Sequence, residues 1–497
     1  MSNRRDFLKT SLLGTAAVAA TTMAGSVQAA PSDKGRKGYD LVIIGAGMGG
    51  FCCAIRAKQN GLRPILIEKM PMPAGNTIYA AGFVLGVHSR PQEAANCNKD
   101  DSVEKFYEDM LKVSKGRGDK ALSRYVAENL DSTIAWLEDY VGMKFRAGMK
   151  LAYPMLQRAM LPAGDVKPGG NQLAMWLMAK CKELGIPVRF NTKAIKLIID
   201  DDTGAVKGVV ARTKEKSIKL YGRYGTVIAT GGYSANNMMV IQNCGVAAAN
   251  MPIRGSRVVS GENITLAQAA FAKFVNVDQY HCGPIYGPTG ANPLNIVNNG
   301  IAVSMDKTER YTNEGLTYVQ MSRDTAARTK NNWACIIIDQ DTRDLKKLAP
   351  DFASYRLTKA PIYQADTIEE LAKAAGLDPV KLVKIVDEYN KAIKEGTRDK
   401  LTPPNTLPEA RPVLKAPFYA VPFQGGMTAT FGGPLINTEA RVLNNENRVI
   451  PGLFAIGNAA GGLFYDDYIG GAQLSSAAIF GIRVADVVKQ VKAEARK

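Results

Sequence analysis

The stretch Tyr39-Asp-Leu-Val-Ile-Ile-Gly45-Ala-Gly47-Met-Gly-Gly50, answered by Pro64-Ile-Leu-Ile-Glu68, decides the fold of this chain. An apolar, β-branched run that stops at Gly-x-Gly-x-x-Gly and passes into small residues predicts a strand, a tight turn and a helix. Gly45 allows the turn, Gly47 lets backbone N–H groups approach a pyrophosphate, and Gly50 lets helix and strand pack closely. The helix offers its positive N-terminal end to that pyrophosphate. Glu68, at the end of the next strand, is placed to accept hydrogen bonds from ribose hydroxyls. A dinucleotide site follows. The turn alone leaves open whether the dinucleotide is FAD or NAD.

The strand-to-glycine theme returns twice, at Gly225-Thr-Val-Ile-Ala-Thr-Gly-Gly232 and at Gly452-Leu-Phe-Ala-Ile-Gly457-Asn458-Ala-Ala-Gly-Gly462. Three such ends, far apart in sequence, imply one sheet gathered around one long cofactor. Ala74-Gly75-Asn76-Thr77 and Ala80-Ala81-Gly82 form a small-residue loop that lets a flat group approach the backbone. Val103, Phe106, Tyr107, Met110 and Leu111 recur at helical spacing, and Gly169-Gly170-Asn171 leads into a helix running to about Leu184. Short strands are expected at 187–192, 194–199 and 205–210. Thr367-x-x-Glu370 is a capping box opening a helix from Ile368 to Ala375, and Asp378-Pro379 opens a second. The composition changes between about 278 and 427, which points to a second domain inserted into the first.

Ahead of the fold, Asn3-Arg4-Arg5-Asp6-Phe7-Leu8-Lys9 precedes a weakly apolar, Ala/Thr-rich run ending in Val27-Gln28-Ala29-Ala30. This is the twin-arginine form of an export signal, so residues 1–30 are expected to be removed and the protein to reach the periplasm folded, with its cofactor. The run is too short and polar to stay as a membrane anchor, and no integral span is expected. Cleavage takes away Arg4, Arg5, Lys9 and Asp6, lowering the formal charge from +17 to +15. The lysines are scattered, with no nucleic-acid module, so nucleic acid is not an expected partner. Seven cysteines show no C-x-x-C and no C-x-x-C-H, so the chain attaches no c-type haem. With only His88 and His281 as histidines, no metal cluster is expected.

Taken together, these motifs resemble the flavoprotein family of fumarate reductases and succinate dehydrogenases, above all the soluble periplasmic flavocytochrome c branch and its urocanate- and methacrylate-reducing relatives. The resemblance covers roughly residues 38–492. It rests on the Gly45–Gly50 fingerprint with Glu68, Gly75-Asn76 with Ala80-Ala81-Gly82, and Ile228-Ala-Thr-Gly-Gly-Tyr-Ser. Arg310-Tyr-Thr-Asn-Glu314, Ser322-Arg323-Asp324, the His281 segment and the block Gly452–Gly471 complete it. It implies FAD and an α/β fold, a Rossmann-like FAD-binding domain with an inserted α+β clamp domain. The expected divisions are 38–277 and 428–492 for the FAD-binding domain and 278–427 for the clamp. The implied cofactor contacts are Gly45, Gly47, Met48, Gly49, Gly50, Glu68, Lys69, Asn76, Thr77, Ala81, Gly82, Ala194, Thr230, Gly231, Gly457, Asn458, Gly471, Leu474 and Ser475. The helix beginning near Gly471 would point its N-terminus at the flavin pyrimidine edge.

In that family a reduced flavin gives hydride from N5 to one carbon of an activated double bond, and an arginine protonates the other. Arg323 matches that arginine, and His281 matches a substrate-binding histidine, although His-Cys-Gly replaces the usual His-Pro-Thr. Other positions depart. Tyr468 stands where the family has a second, carboxylate-gripping arginine, and a neutral phenol supplies no bidentate charged clamp. Thr428-Ala429-Thr430-Phe431-Gly432-Gly433 replaces the segment with paired histidines. Leu294 and Val297 replace the acid and arginine of the proton relay, and no acid lies between Ala291 and Met305.

The constellation that grips a C4 dicarboxylate is therefore largely missing. Tyr468, Phe464, Tyr465, Phe431 and Tyr286 are candidates to line a pocket for an apolar or aromatic group. Asp466 and Asp467 are candidates to polarise Tyr468 or carry protons. The expected function is reduction of a monocarboxylic or aryl-substituted 2-enoate, with Arg323, His281 and Tyr468 at the reaction centre. Electrons would come from a separate donor protein such as a multihaem cytochrome c. The alternatives are a dehydrogenase or oxidase working in reverse, as in ketosteroid dehydrogenase relatives, a true fumarate reductase, or a flavin electron-transfer subunit without turnover.

Overall fold

The computed structural model describes residues 38–495 apart from 149, 152 and 153, so the twin-arginine segment lies outside the described residues. Its principal sheet runs in the order Arg441–Leu443, Val449–Ala455, Ser217–Ile228, Tyr39–Ile44, Pro64–Ile67, Val188–Arg189. The last five strands are mutually parallel. Strands buried on both faces read as continuous apolar runs, as Leu41–Ile44 and Ile65–Ile67 do. Because they are parallel, the glycine-ended turns after Ile44, Ile228 and Ala455 lie along one edge of the sheet. That edge is where open α/β sheets bind ligands.

Helix Met48–Gln59 and helix Ala472–Glu494 cover this sheet and cross each other closely. The crossing depends on small residues. A Cβ at Gly481 would lie 2.5 Å from the Gly49 carbonyl oxygen, and one at Gly49 would lie 2.9 Å from the Ala477 oxygen. Cys52 and Cys53 are buried at this crossing, and all seven cysteines are free thiols. The strand expected at 187–192 shrinks to Val188–Arg189. The strand expected near Gly225 begins earlier, at Ser217, because its first half joins the antiparallel meander Lys193–Ile199, Val206–Arg212, Ser217–Ile228.

A second, antiparallel sheet comes from the middle of the chain: Tyr280–Ile285, Phe418–Thr430, Ala334–Ile338 and Ile301–Ser304, with Tyr363–Ala365 also on the long strand. Its alternation is clean. Ile336, Ile338, Val421 and Phe423 pack with Tyr355 and Phe352 on one face, while Cys335, Ile337 and Ala420 pack with Leu371, Leu382 and Val386 on the other. Helices Ile368–Ala375 and Pro379–Glu395 start at Thr367 and Asp378, whose side chains accept from the backbone N–H of Glu370 and of Val380 and Lys381. Strand Phe418–Thr430 is continuous, so the division expected at 427 falls inside it. Its last residues reach the first sheet, where Thr430 Oγ1 accepts from Tyr233 N–H at 3.0 Å. The end of the second sheet therefore meets the glycine edge of the first. No helix among the described residues is long and apolar enough to cross a membrane.

Candidate active site

The glycines of the first turn serve different ends. Gly45 has φ +113°, and a Cβ there would lie 2.4 Å from the Ala229 oxygen; one at Gly50 would lie 2.0 Å from the Gly45 oxygen. The protein itself demands these two glycines. A Cβ at Gly47 would meet only Thr77 Oγ1 at 3.5 Å, and one at Gly75 would meet nothing within 4 Å. Packing does not require glycine at either position, whereas a group lying against the backbone does. The residues present therefore fit a dinucleotide. Thr77 Oγ1 accepts from Met48 N–H at 3.0 Å, fixing the first turn of the helix.

Glu68 accepts from Ala46 N–H and Met70 N–H at 2.9 and 3.0 Å, which orients its carboxylate beside a small cavity shared with Gly45, Gly75, Ala194 and Thr230. Lys69 turns to the rim of that cavity, 2.7 Å from both Ser260 and Glu262. Burial disfavours the Glu262 charge, but Lys69 outweighs it and holds the carboxyl below its usual range. Asn76 joins Thr428 O to Ser256 N–H at 3.0 and 2.6 Å. Gly82 (φ +89°), next to Ala81, packs on Gly169–Gly170, so its lack of a side chain serves a backbone crossing. Gly231 (φ +70°) and Gly457 (φ +61°) turn the chain at the two other strand ends.

At the far end, Gly471 (φ +98°) is the N-cap of the long helix. Ser475 Oγ accepts from Leu85 N–H at 2.8 Å and is a tie between elements, while Leu474 is half-buried beside it. Asn458 donates to Gln473 Oε1, and Gln473 Nε2 is buried without a partner in the protein. That orphaned amide at a helix start is a donor waiting for an acceptor.

Beside it lies the cluster expected to act on substrate. His281, 2% exposed, packs edge-on against Tyr468 with ring centroids 4.7 Å apart; Phe431 and Phe464 lie within 5.8 Å of Tyr468, and Tyr318 lies 5.9 Å from His281. Burial, and then Arg254 and Arg323, push the His281 pKa well down, so the ring is neutral. Its Nδ1 has no partner. Two expected pocket residues lie elsewhere. Tyr286 packs on Trp333 and Tyr355 in the core of the second sheet, and Tyr465 lies under the Arg117 guanidinium. Neither lies within a strand: Tyr286 follows strand Tyr280–Ile285 and bridges back to Ala291, and Tyr465 stands in the loop before helix Ala472–Glu494, so the path of these turns sets both positions.

Arg323 is half-buried, and the two acids nearest to it in sequence have other partners. Glu314 pairs with Arg310 at 2.6 Å, and Asp324 accepts from Thr312 at 2.6 Å. Arg323 instead contacts Asp466 Oδ1 at 2.7 Å and donates to Tyr280 O at 2.6 Å; Asp466 Oδ2 lies 2.8 Å from Lys115, which is 59% exposed. An Arg–Asp–Lys chain thus runs from the cluster to solvent. Burial works against the Arg323 charge, but facing Cys282, Tyr280 and Asp466 it stays protonated. Asp467 accepts from Tyr468 N–H at 2.8 Å, and burial raises its pKa to about 6. Burial, then Asp467, push Tyr468 up to about 12, so it is a neutral phenol.

Two residues of this cluster went unread in the sequence: Tyr318, edge-on to His281, and Arg254, half-buried, whose Nη1 donates to Thr428 Oγ1 at 3.2 Å. No motif surrounds Arg254, and only the fold brings it to His281.

A family model described as an FAD binding domain matches residues 40–472. The chain is 28% identical over 458 residues to a probable fumarate reductase, Ifc3, of Shewanella frigidimarina, covering 92% of this chain and 75% of that protein. It is 25% identical over 520 residues to the acrylate reductase flavoprotein subunit of Shewanella woodyi, covering 98% of each. The open conformation of a flavocytochrome c3 fumarate reductase superposes with a TM-score of 0.78 at 26% identity, over 99% of this chain and 81% of that one. The match over most of the chain, together with the glycine edge and its cavity, has one consequence: the chain belongs to the FAD binding domain family, among flavoproteins of the fumarate reductase type, and is an FAD-dependent oxidoreductase.

Proposed function

We propose that this protein reduces an activated carbon–carbon double bond in a monocarboxylic or aryl-substituted 2-enoate. FAD, when bound and reduced, supplies the hydride. Arg323 delivers the proton to the other carbon, and Asp466 and Lys115 return a proton to it from solvent. Neutral His281 orients the substrate through a hydrogen bond, while Tyr468, Phe431 and Phe464 enclose its planar part and exclude water. The observation that carries this reading is Arg323 itself, held by Asp466 beside an aromatic cluster in which position 468 is a phenol.

Relatives named as acrylate, urocanate and vinyl phenol reductases support the range of substrates. Export in folded form to the periplasm and electron supply by a separate multihaem cytochrome c belong to the same reading. The twin arginines Arg4-Arg5 support the first; the name "fumarate reductase (cytochrome)" of a relative and the lack of a C-x-x-C-H motif in this sequence support the second. The test is an anaerobic assay with reduced methyl viologen against acrylate, cinnamate, urocanate and fumarate. One or more of the first three should be reduced, and Arg323→Gln should abolish turnover while viologen still reduces the flavin. Rapid reduction of fumarate alone would overturn the reading, as would oxygen-linked oxidation of saturated acids or steroids without enoate reduction.

A further inference from the structure

We propose that Arg254 anchors the substrate's single carboxylate, taking over from another element the charge that position 468 lacks. The inference rests on the reductase reading and names the substrate's head group. Residues 252–255 run beside Met427–Thr428: Arg254 N–H donates to Met427 O at 2.7 Å, and Met427 N–H donates to Pro252 O at 2.9 Å. This pairing fixes the backbone from which the side chain starts.

The guanidinium then lies over a bare patch of the second sheet. Gly283 and Gly426 are register partners on adjacent strands. A Cβ at Gly283 would lie 3.0 Å from Arg254 Cζ and 3.2 Å from both Nε and Nη1; one at Gly426 would lie 3.2 Å from Arg254 Cβ. Glycine at 283 is thus one of the departures that admit this arginine: His-Cys-Gly stands where the related pattern has His-Pro-Thr, and a threonine side chain would occupy the guanidinium's place. Thr428, in the segment that lost its histidines, supplies the side-chain hydrogen bond to it.

The two arginines of the pocket differ in their charge partners. Arg323 is bound to Asp466. Among the described residues no carboxylate lies within ion-pair distance of Arg254, although its charge reaches His281, Tyr318 and Tyr468. A guanidinium that is half-buried, uncompensated and held by a single hydroxyl is a ready fork for a carboxylate. One such fork beside an aromatic cluster selects a monoanion with a planar apolar body.

The experiment uses the FAD-loaded protein. Binding of unreactive 3-phenylpropionate to the oxidised form is followed by the flavin difference spectrum, and reduction of cinnamate and of neutral cinnamamide is followed with reduced methyl viologen. Arg254→Gln should weaken 3-phenylpropionate binding and raise KM for cinnamate by roughly 100-fold, the scale of losing charge-assisted hydrogen bonds. It should leave kcat and the KM for cinnamamide within about threefold, because the proton donor is untouched. Arg254→Lys should recover part of the binding, and Gly283→Thr should mimic the loss with the charge retained. Arg254→Gln binding of 3-phenylpropionate within about threefold of the parent overturns the proposal, as does a parent protein that binds no carboxylate. Tight binding that depends on Arg254, without reduction of any enoate, upholds the anchor and defeats the reductase reading instead.

Discussion

Asp467→Asn tests the electrostatics of the pocket through stability. The Asp467 carboxyl accepts from Tyr468 N–H at 2.8 Å and from the Thr317 hydroxyl at 3.3 Å, yet burial lifts its pKa from an ordinary 3.8 to about 6. At roughly 1.4 kcal/mol per pH unit, that interval caps the cost of ionising it in the folded state at about 3 kcal/mol. Between about pH 4 and pH 6 the folded protein holds this proton and the unfolded chain has released it. Stability from this group therefore falls as pH rises through that window, and the whole cost is present above it. Asparagine keeps the carbonyl that accepts from Tyr468 and never ionises. The variant should match the parent near pH 4 and exceed it by about 1–3 kcal/mol above pH 7. Urea unfolding of the FAD-loaded pair across that range measures the difference, and acid effects common to both proteins cancel. A difference that does not change with pH, or a variant less stable than the parent at neutral pH, would refute the reasoning.

Asp466→Asn breaks the chain from Lys115 to Arg323 and should lower enoate turnover by about 100-fold or more while leaving flavin reduction by viologen unchanged; Lys115→Met should lower turnover less and shift its pH profile. Gly50→Ala, whose Cβ would lie 2.0 Å from the Gly45 oxygen, should give protein that folds poorly and carries no flavin. Gly47→Ala, with nothing nearer than 3.5 Å, should fold normally and lose FAD only, seen as a low flavin-to-protein absorbance ratio beside an unchanged far-UV spectrum. Arg158→Met removes the guanidinium that pairs with the buried Asp101 and the half-buried Asp109, 2.6 and 2.7 Å away, and should cost about 3–5 kcal/mol in urea unfolding.

The turn at Gly45–Gly50 was legible because its constraints are local: spacing along the chain fixes which glycine turns, which stays clear of the protein's own packing and which packs. Helices Ile368–Ala375 and Pro379–Glu395 were legible for the same reason, since a cap and its first turn lie within a few residues. The second sheet was not. Phe418–Thr430 is covered on both faces and so shows no polar–apolar alternation in its sequence, and Tyr280–Ile285 contains Cys-Gly-Pro, which reads as a loop. Aromatic content suggested Tyr286 and Tyr465 for the pocket, but the path of the turns outside the strands sends Phe431 and Tyr468 inward and those two elsewhere. Arg254 is the extreme case. Its setting is made by Gly283, Gly426 and Thr428, contributed from two other strands, and no window of sequence contains it.

These departures belong together, because charge in a closed pocket has to balance. A dicarboxylate needs two cationic grips, and this cluster has two arginines, but Arg323 already shares Asp466 with Lys115 and stands in the field of Asp467. A second carboxylate entering beside Tyr468 would meet a phenol with a pKa near 12 and, next to it, an aspartate that ionises at about 6. Near neutral pH that is an anion facing an anion in a water-poor site, a repulsion that selects against the wrong ligand as effectively as Arg254 selects for the right one. Restoring an arginine at 468 alone would not recreate a dicarboxylate site. The new guanidinium would stand close enough to Arg254 to feel its charge, as Tyr468 does now, and the two cations would compete for the same substrate oxygens. Tyr468, Thr428, Gly283 and Arg254 form one coupled solution, in which the proposed anion grip comes from a segment laid against the second sheet and the aromatic cluster is left for an uncharged, planar group.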